Sequence, residues 1–448
     1  MWIFLLYEKL KGKSSFWYPY FSTLSGCDNL IDWSNEELAE LQDKLIAHDA
    51  GVWKQRLERN WEKVFSIVSR YPEYFQAEDL KAEFLWAWKV CCTRTFGWNG
   101  GMVIPLAGST NHGEVYTTYD NKTKSELEEL ANNETSETDY SDFLNVERKS
   151  NTDIDRRQNR SRLEKYLDKN EMPKVTKIWG LDTKLGEFRS SSSDDDERTV
   201  AECTSDEEYQ ASPVDITPDE DNYFTMSTGV RTCFKKGEQV FNAYGRLSNR
   251  NLLMDYGFST PNNRYDTVYF LLWLPKSARE GLVKIEDVKA KTPEYMKYTE
   301  LYGLKTKRLN LDVFIYYRKH LNLREKNSPS DLDTELGIID KFLSLCLELN
   351  SEFQTSLEED MDLLQRNLPE RVRWGVIYRI GQKKIVLNQI KMLETLRKEL
   401  EKVQSGLSLA NHLKGRTAEE IFDLYPLRIY LKALNIHMAK KRLGIDKT

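Results

Sequence analysis

A long polar segment limits what this chain can fold into, because it separates two parts that can each form an ordered core. From about residue 113 to residue 220 the sequence is rich in Ser, Thr, Asp and Glu, and it contains the run Ser190–Glu197. A segment of this composition buries too little apolar surface to offset the entropy lost on ordering. We therefore expect residues 113–220 to be an acidic disordered insertion, either a solvated spacer or a docking or phosphorylated segment.

The residues before this segment have the pattern of helices. Ser34 followed by Glu37 is typical of a capping box, and apolar residues recur at spacings of three and four across residues 52–95. Residues 1–7 are apolar but too few to cross a bilayer, which takes about 20 residues, and they lack the basic start of a signal peptide. We expect a buried helix or strand at the start, and a soluble intracellular protein without a membrane partner.

The residues after the polar segment predict short strands first. Residues 224–228 and 238–241 have strand-like composition on either side of a Lys-Lys-Gly turn, and residues 264–275 contain a longer apolar run. These three segments predict a small β structure.

From about residue 288 onward the pattern is helical. Ser356 and Glu359 form a second capping box, and Pro369 predicts the end of the helix that starts there, near Leu368. Two apolar stripes indicate long amphipathic helices packed in a core. The stripes are Leu336, Ile339, Phe342, Leu345, Cys346 and Leu349, and Val386, Ile390, Leu393, Leu396 or Arg397, Leu400 and Val403.

Charge and cysteine content exclude several classes of function. The formal net charge is -6 and the pI is near 5.7, which argues against a nucleic-acid partner held by clustered Lys and Arg. The six cysteines include no Cys-x-x-Cys pair, so we expect no structural zinc and no metal site. So few cysteines in so long a chain also argue against a disulfide framework and favour a reducing compartment, cytoplasmic or nuclear.

Two motifs carry most of the functional information when they are taken together. The first is Pro105–His112, which ends in Asn-His, and the second is Lys236–Phe258, which contains Tyr244, Ser248-Asn249 and Tyr256. The second segment resembles, nearly throughout, the C-terminal half of the SET domain in the branch of Rubisco large-subunit methyltransferases. Asn111-His112 is similar to the upstream Asn-His motif of that family.

Weaker similarities extend this resemblance over most of the chain outside the polar segment. Thr93-Arg94 with Phe96 resembles the Ser-Arg-x-Phe segment of the family, and Tyr7–Tyr20 is similar to a stretch near the start of its members. Residues 357–383 resemble the helical substrate-binding domain of this branch. In contrast, no Gly-x-Gly precedes these segments, and Gly108 stands where the family usually has an acidic residue, which we expect to weaken the local hydrogen-bond network.

The resemblance implies an α+β fold, with a SET-domain β core that carries a helical insertion, followed by an all-α C-terminal substrate-binding domain. The expected parts are an N-terminal SET remnant at 1–27, a helical inserted subdomain at 28–95, the SET core at 96–112 and 221–280, the insertion at 113–220, and the helical substrate-binding domain at 288–440.

The resemblance also implies a function and a site. It implies an S-adenosyl-L-methionine-dependent protein-lysine N-methyltransferase, with Tyr244 as the catalytic tyrosine and Arg94, Asn111, His112 and Tyr256 in contact with the cofactor. We expect a monomer whose partner is a protein bearing the target lysine. Two alternatives remain open: a SET-like pseudoenzyme that serves as a protein-binding module, which the missing Gly-x-Gly favours, and a protein-histidine methyltransferase.

Overall fold

The structure is a computed structural model. It describes residues 1–24, 28–96, 102–113, 115, 117–123, 222–228, 234–274, 279–289, 298–321, 329, 331–405, 427, 430, 431, 433, 434 and 438. Its contacts divide the chain into two compact units. We call Met1–Thr93 with Arg246–Thr448 the helical unit and Arg94–Gly245 the strand unit.

The N-terminal part of the helical unit is a series of helices. The start of the chain is helical rather than extended, and Leu5 and Leu6 of that first helix are buried. The helices are α1 (Trp2–Leu10), α2 (Tyr18–Phe21), α3 (Asn35–Ala39), α4 (Lys44–Val68) and α5 (Leu80–Arg94), whose last residue belongs to the strand unit.

The capping box predicted at Ser34 is confirmed. The Ser34 hydroxyl accepts from the Glu37 backbone N–H at 3.2 Å, and the Glu37 carboxylate accepts from the Ser34 N–H at 2.8 Å. At the start of α4, the Asp43 carboxylate accepts from the backbone N–H groups of Leu45 and Ile46. These bonds satisfy N–H groups that lack partners within the first turn of a helix.

The C-terminal part of the helical unit adds further helices and one strand pair. The helices are α6 (Asn249–Tyr256), α7 (Ile285–Lys289), α8 (Leu311–His320), α9 (Leu332–Ser351), α10 (Leu357–Leu364) and α11 (Glu370–Gln404), and the strands are β7 (Val268–Trp273) and β8 (Thr299–Leu304). Strands β7 and β8 are antiparallel, with Val268 opposite Leu304 and Trp273 opposite Thr299. The strand predicted at 264–275 is confirmed, whereas the expectation of helix from residue 288 onward is wrong at β8.

The main core lies between the strand pair β7–β8 and the helices α8, α9 and α11. Both predicted apolar stripes face this core, although Leu336 and Ile390 are only partly buried. The capping box at Ser356 and Glu359 is also confirmed. However, α10 ends at Leu364, and Pro369 precedes α11 instead of ending α10. Proline suits this position because a helix start needs no N–H there.

The strand unit consists of paired strands. The strands are β1 (Thr95–Phe96), β2 (Met102–Val103), β3 (Asn111–His112), β4 (Thr117–Thr123), β5 (Asn222–Thr228) and β6 (Phe241–Asn242). Strands β1 and β2 are antiparallel, and β3 and β6 are parallel. Strands β4 and β5 form an antiparallel pair with seven residue pairs, which we call the hairpin.

The hairpin changes the expected bounds of the insertion. A strand predicted around Phe224–Thr228 is confirmed in β5, but the insertion was expected to begin at residue 113, and β4 shows ordered chain up to Thr123. Residues 117–123 were assigned to the insertion because they are polar, although their threonines and tyrosine have high β propensity. The run Ser190–Glu197 lies outside the described residues.

Candidate active site

The strand unit brings the two sequence motifs side by side. In the parallel pair β3–β6, Asn111 lies opposite Phe241 and His112 opposite Asn242. The Gly113 N–H donates to the Asn242 carbonyl at 3.0 Å and extends the pairing. A Cβ at position 113 would lie 2.8 Å from the Cβ of Phe241, so only glycine allows the two strands to approach this closely.

Tyr244 is held at both its backbone and its side chain. Its backbone N–H donates to Nδ1 of His112 at 3.1 Å, and its hydroxyl donates to the Thr110 carbonyl at 2.8 Å. The His112 and Tyr244 rings lie 5.2 Å apart, centroid to centroid. Because the hydroxyl proton is directed to Thr110, the phenol oxygen can act toward another molecule only as a hydrogen-bond acceptor.

His112 must be neutral to make this contact. Its Nδ1 accepts the Tyr244 N–H, so we assign its proton to Nε2. Burial lowers the pKa of His112, which favours the same neutral form. The sequence predicted His112 as a cofactor contact, and the structure adds that its side chain positions the Tyr244 backbone.

Two further contacts near Tyr244 were not found by sequence reasoning. The Thr117 hydroxyl accepts from the Ala243 backbone N–H at 3.0 Å, and the Thr110 carbonyl accepts from Tyr244. Thr117 was assigned to the insertion because its surroundings are polar. A backbone carbonyl such as that of Thr110 leaves no signal in a single sequence.

Arg94 lies close to the segment that precedes Asn111. Its guanidinium donates to the Gly108 carbonyl at 2.7 Å. Its Nε is buried, and among the residues that the structure describes it has no hydrogen-bond partner. Since an unpaired buried donor costs about 1–3 kcal/mol, this atom is suited to bind an acceptor group of a ligand. The side chain of Asn111 is exposed and can also reach a ligand.

The backbone before Gly108 has an unusual conformation. Leu106 has a φ of 66° and is 84% exposed. A positive φ in a leucine is strained, and such strain is found preferentially near functional sites. The Gly108 carbonyl, which receives the Arg94 bond, lies just beyond this residue.

Tyr256 lies in the helical unit, at the end of α6. Its ring contacts Phe258 at 6.3 Å, and Phe258 contacts Trp374 at the same centroid distance. Gly257 ends the helix with a φ of 76°, and a Cβ there would lie 2.7 Å from the Asp28 carbonyl oxygen. Because Gly257 packs closely against Asp28, α6 ends at Tyr256.

A buried polar network holds the start of α6. Asn249 donates from its backbone and its side chain to Asp266, each at 3.1 Å, and its amide oxygen accepts from the Thr260 backbone N–H at 2.9 Å. Burial raises the pKa of Asp266 to about 7. The next residue, Arg250, pairs with Asp49 of α4, and both side chains are buried. Asn249, the second residue of the Ser-Asn pair in this motif, therefore has a structural role.

Two further surveys apply to the described residues only. They contain no group of three or more His, Cys, Asp or Glu side chains arranged to hold a metal ion. No helix among them combines the length and the apolar character needed to cross a membrane.

Similar proteins were found by sequence. No family model matches the chain. It is 32% identical over 124 residues to the chloroplastic fructose-bisphosphate aldolase-lysine N-methyltransferase of Arabidopsis thaliana, covering 26% of this chain and 25% of that protein. It is 30% identical over 123 residues to the chloroplastic Rubisco large-subunit N-methyltransferase of Nicotiana tabacum, with coverage of 26% and 25%. It is 34% identical over 105 residues to ribosomal lysine N-methyltransferase 3 of Saccharomyces cerevisiae, with coverage of 23% and 17%. The chain therefore aligns with a quarter or less of the length of these relatives.

Similar structures cover far more of the chain. The SET domain of Rubisco large-subunit methyltransferase, LSMT, bound to lysine and AdoHcy has a TM-score of 0.53 at 18% identity, over 95% of this chain and 81% of that one. The structure of Rubisco LSMT bound to sinefungin and monomethyllysine gives the same values.

These matches define the class of the fold. It is the mixed α and β fold of a SET-domain protein, which confirms the predicted fold class. More particularly, it is the fold of Rubisco LSMT, and the sequence relatives of the chain are lysine N-methyltransferases of that type.

Proposed function

We propose that this chain is an S-adenosyl-L-methionine-dependent protein-lysine N-methyltransferase. The observation that carries the proposal is the arrangement of Tyr244, whose backbone N–H donates to His112 and whose hydroxyl donates to the Thr110 carbonyl. The names of the sequence relatives and the ligands of the similar structures support the same activity.

The residues of the strand unit fit the cofactor. S-adenosyl-L-methionine carries a carboxylate and an adenosine, and it supplies a methyl group on a sulfonium. The buried, unpaired Nε of Arg94 is a donor for an anionic group, and the exposed amide of Asn111 can both donate and accept. We propose that these two residues and the backbone at His112 hold the cofactor; the cofactor contact of Tyr256 remains a prediction from the resemblance.

Tyr244 would act on the target amine. A lysine reacts only as the free amine, and removal from water lowers its pKa and favours that form. The Tyr244 oxygen can accept an N–H of this amine and orient the nitrogen, because its own proton is directed to Thr110. Methyl transfer in line needs alignment more than covalent help, so the rigid hold on Tyr244 is the main contribution of these residues.

The partner and the compartment are also proposals. We propose a protein substrate bearing the target lysine, bound by a monomeric enzyme in the cytoplasm or nucleus.

The proposal is tested first by calorimetric titration with S-adenosyl-L-methionine. We expect micromolar binding that Asn111→Ala weakens about tenfold, while Asn388→Ala, the same change on the exposed face of α11, leaves binding unchanged. A folded wild-type sample that shows no binding would refute the proposal.

A second test separates binding from chemistry. Tyr244→Phe removes only the phenol oxygen, so we expect cofactor binding to persist and methyl transfer to peptide libraries containing lysine to fall by at least tenfold. Equal transfer by both proteins would show that Tyr244 is not the catalytic tyrosine.

A further inference from the structure

We propose that Thr117 is a positioning residue for Tyr244. This inference rests on the proposed function, since it concerns the tyrosine that would orient the target amine. Thr117 begins strand β4, and its hydroxyl accepts the Ala243 backbone N–H at 3.0 Å. None of the sequence motifs includes this residue.

The segment that leads to Tyr244 is tied at three successive residues. The Asn242 carbonyl accepts from Gly113, the Ala243 N–H donates to Thr117, and the Tyr244 N–H donates to His112. The hydrogen bonds of Asn242 and Tyr244 are made to Gly113 and His112, at the end of β3, whereas the hydrogen bond of Ala243 is made to Thr117 in β4. Thr117 therefore connects this segment to a second strand.

Gly245, the residue after Tyr244, does not by itself fix the backbone as these hydrogen bonds do. Gly245 has a φ of 127°, a conformation that glycine adopts readily and other residues rarely do. A glycine also leaves the chain more freedom than any other residue. The contacts before Tyr244 therefore help to fix its position, and the Thr110 bond of its hydroxyl depends on that position.

The hydroxyl of Thr117 is the group that matters. Thr117 pairs with Thr228 at the end of the hairpin opposite Thr123 and Asn222, so its backbone is fixed by the β4–β5 register. Valine has nearly the same shape and suits a strand equally well. It has no acceptor, however, and would remove the hydrogen bond that the half-buried Ala243 N–H donates to Thr117.

The test compares Thr117→Val with Thr117→Ser, which keeps the hydroxyl. We expect Thr117→Val to lower kcat about tenfold, which corresponds to about 1.4 kcal/mol. The KM for the acceptor peptide and the affinity for S-adenosyl-L-methionine should stay within about twofold, and Thr117→Ser should restore most of kcat. A role in stability alone would change the melting temperature but not split kcat from KM in this way.

A second readout does not depend on methyl transfer. In protein labelled with [ζ-13C]tyrosine, the Tyr244 signal is assigned by its loss in Tyr244→Phe. We expect this signal to shift or broaden in Thr117→Val and to keep its position in Thr117→Ser. If wild type transfers no methyl group, the proposed function fails and this signal still tests the positioning role. An unchanged signal, or equal kcat in the valine variant and wild type, would overturn the inference.

Discussion

Gly113→Ala tests whether the close approach of β3 and β6 sets the activity. The backbone of Gly113 needs no positive φ, so space alone opposes the substitution. The added Cβ would lie 2.8 Å from the Phe241 Cβ and 3.0 Å from its Cγ, whereas carbon atoms pack best at about 3.5–4.0 Å. Because the Phe241 Cβ is attached to the backbone, no side-chain rotation relieves the contact, and the strands must separate by about 1 Å.

The expected magnitude follows from this displacement. Forcing extra atoms into a packed site costs about 1–3 kcal/mol, and the gain from a less flexible unfolded chain returns about 0.4–1 kcal/mol. We therefore expect a net loss of about 1–2 kcal/mol in the free energy of unfolding. The effect on kcat should be larger, because a displacement of 1 Å at reacting groups can cost about a hundredfold.

The assay pairs urea unfolding with methyl-transfer kinetics. Gly51→Ala is the matched control, since it lies within α4 and a Cβ there meets nothing within 4 Å. The control should gain about 0.5–1 kcal/mol, because alanine is the better helix former, and should keep its kcat. If Gly113→Ala unfolds at the same urea concentration as wild type and retains full kcat, the steric reasoning is wrong.

Two further predictions concern a titrating group and a buried ion pair. In His112→Asn, the amide oxygen can accept the Tyr244 N–H and does not titrate. Burial lowers the pKa of His112 below the ordinary histidine value near 6.5, and protonation blocks its Nδ1. Wild type should therefore lose activity relative to this variant as the pH falls below that value. A pH-independent activity ratio would contradict this. In Glu335→Ala, the buried Arg318 loses both of its bonds to that carboxylate, so urea unfolding should show a free energy of unfolding lower by about 3–5 kcal/mol. The double change Arg318→Met with Glu335→Leu should recover most of this loss. Equal losses in the two proteins would contradict the charge argument.

Local chemistry explains what could be predicted from the sequence. The capping boxes at Ser34 and Ser356 and the apolar stripes of α9 and α11 depend on neighbouring residues, so a single sequence reveals them. Tyr244, Asn111 and His112 were recognised because their motifs resemble a known family, and the structure places these motifs on paired strands.

Contacts between distant segments explain what was missed. Strand β8 forms by pairing with β7, which lies far from it in the sequence. Pro369 precedes α11, and this role is recognised only when the end of α10 is known. Thr117 is recognised only once β4 lies beside the Ala243 segment, 126 residues along the chain. The five residues predicted for the site remain predictions as to their roles. Four of them lie in the strand unit, and Tyr256 lies in the helical unit.

The pairing of Thr123 with Asn222 has a practical consequence for engineering. Residues paired across an antiparallel ladder have Cα atoms about 4.5–5.5 Å apart, so the chain leaves and re-enters the hairpin at almost one point. A two-residue Asn-Gly link is long enough to join them. A shortened protein made in this way would keep the strand that carries Thr117, and it would offer a compact scaffold for crystallisation or for inserting a reporter domain at that position.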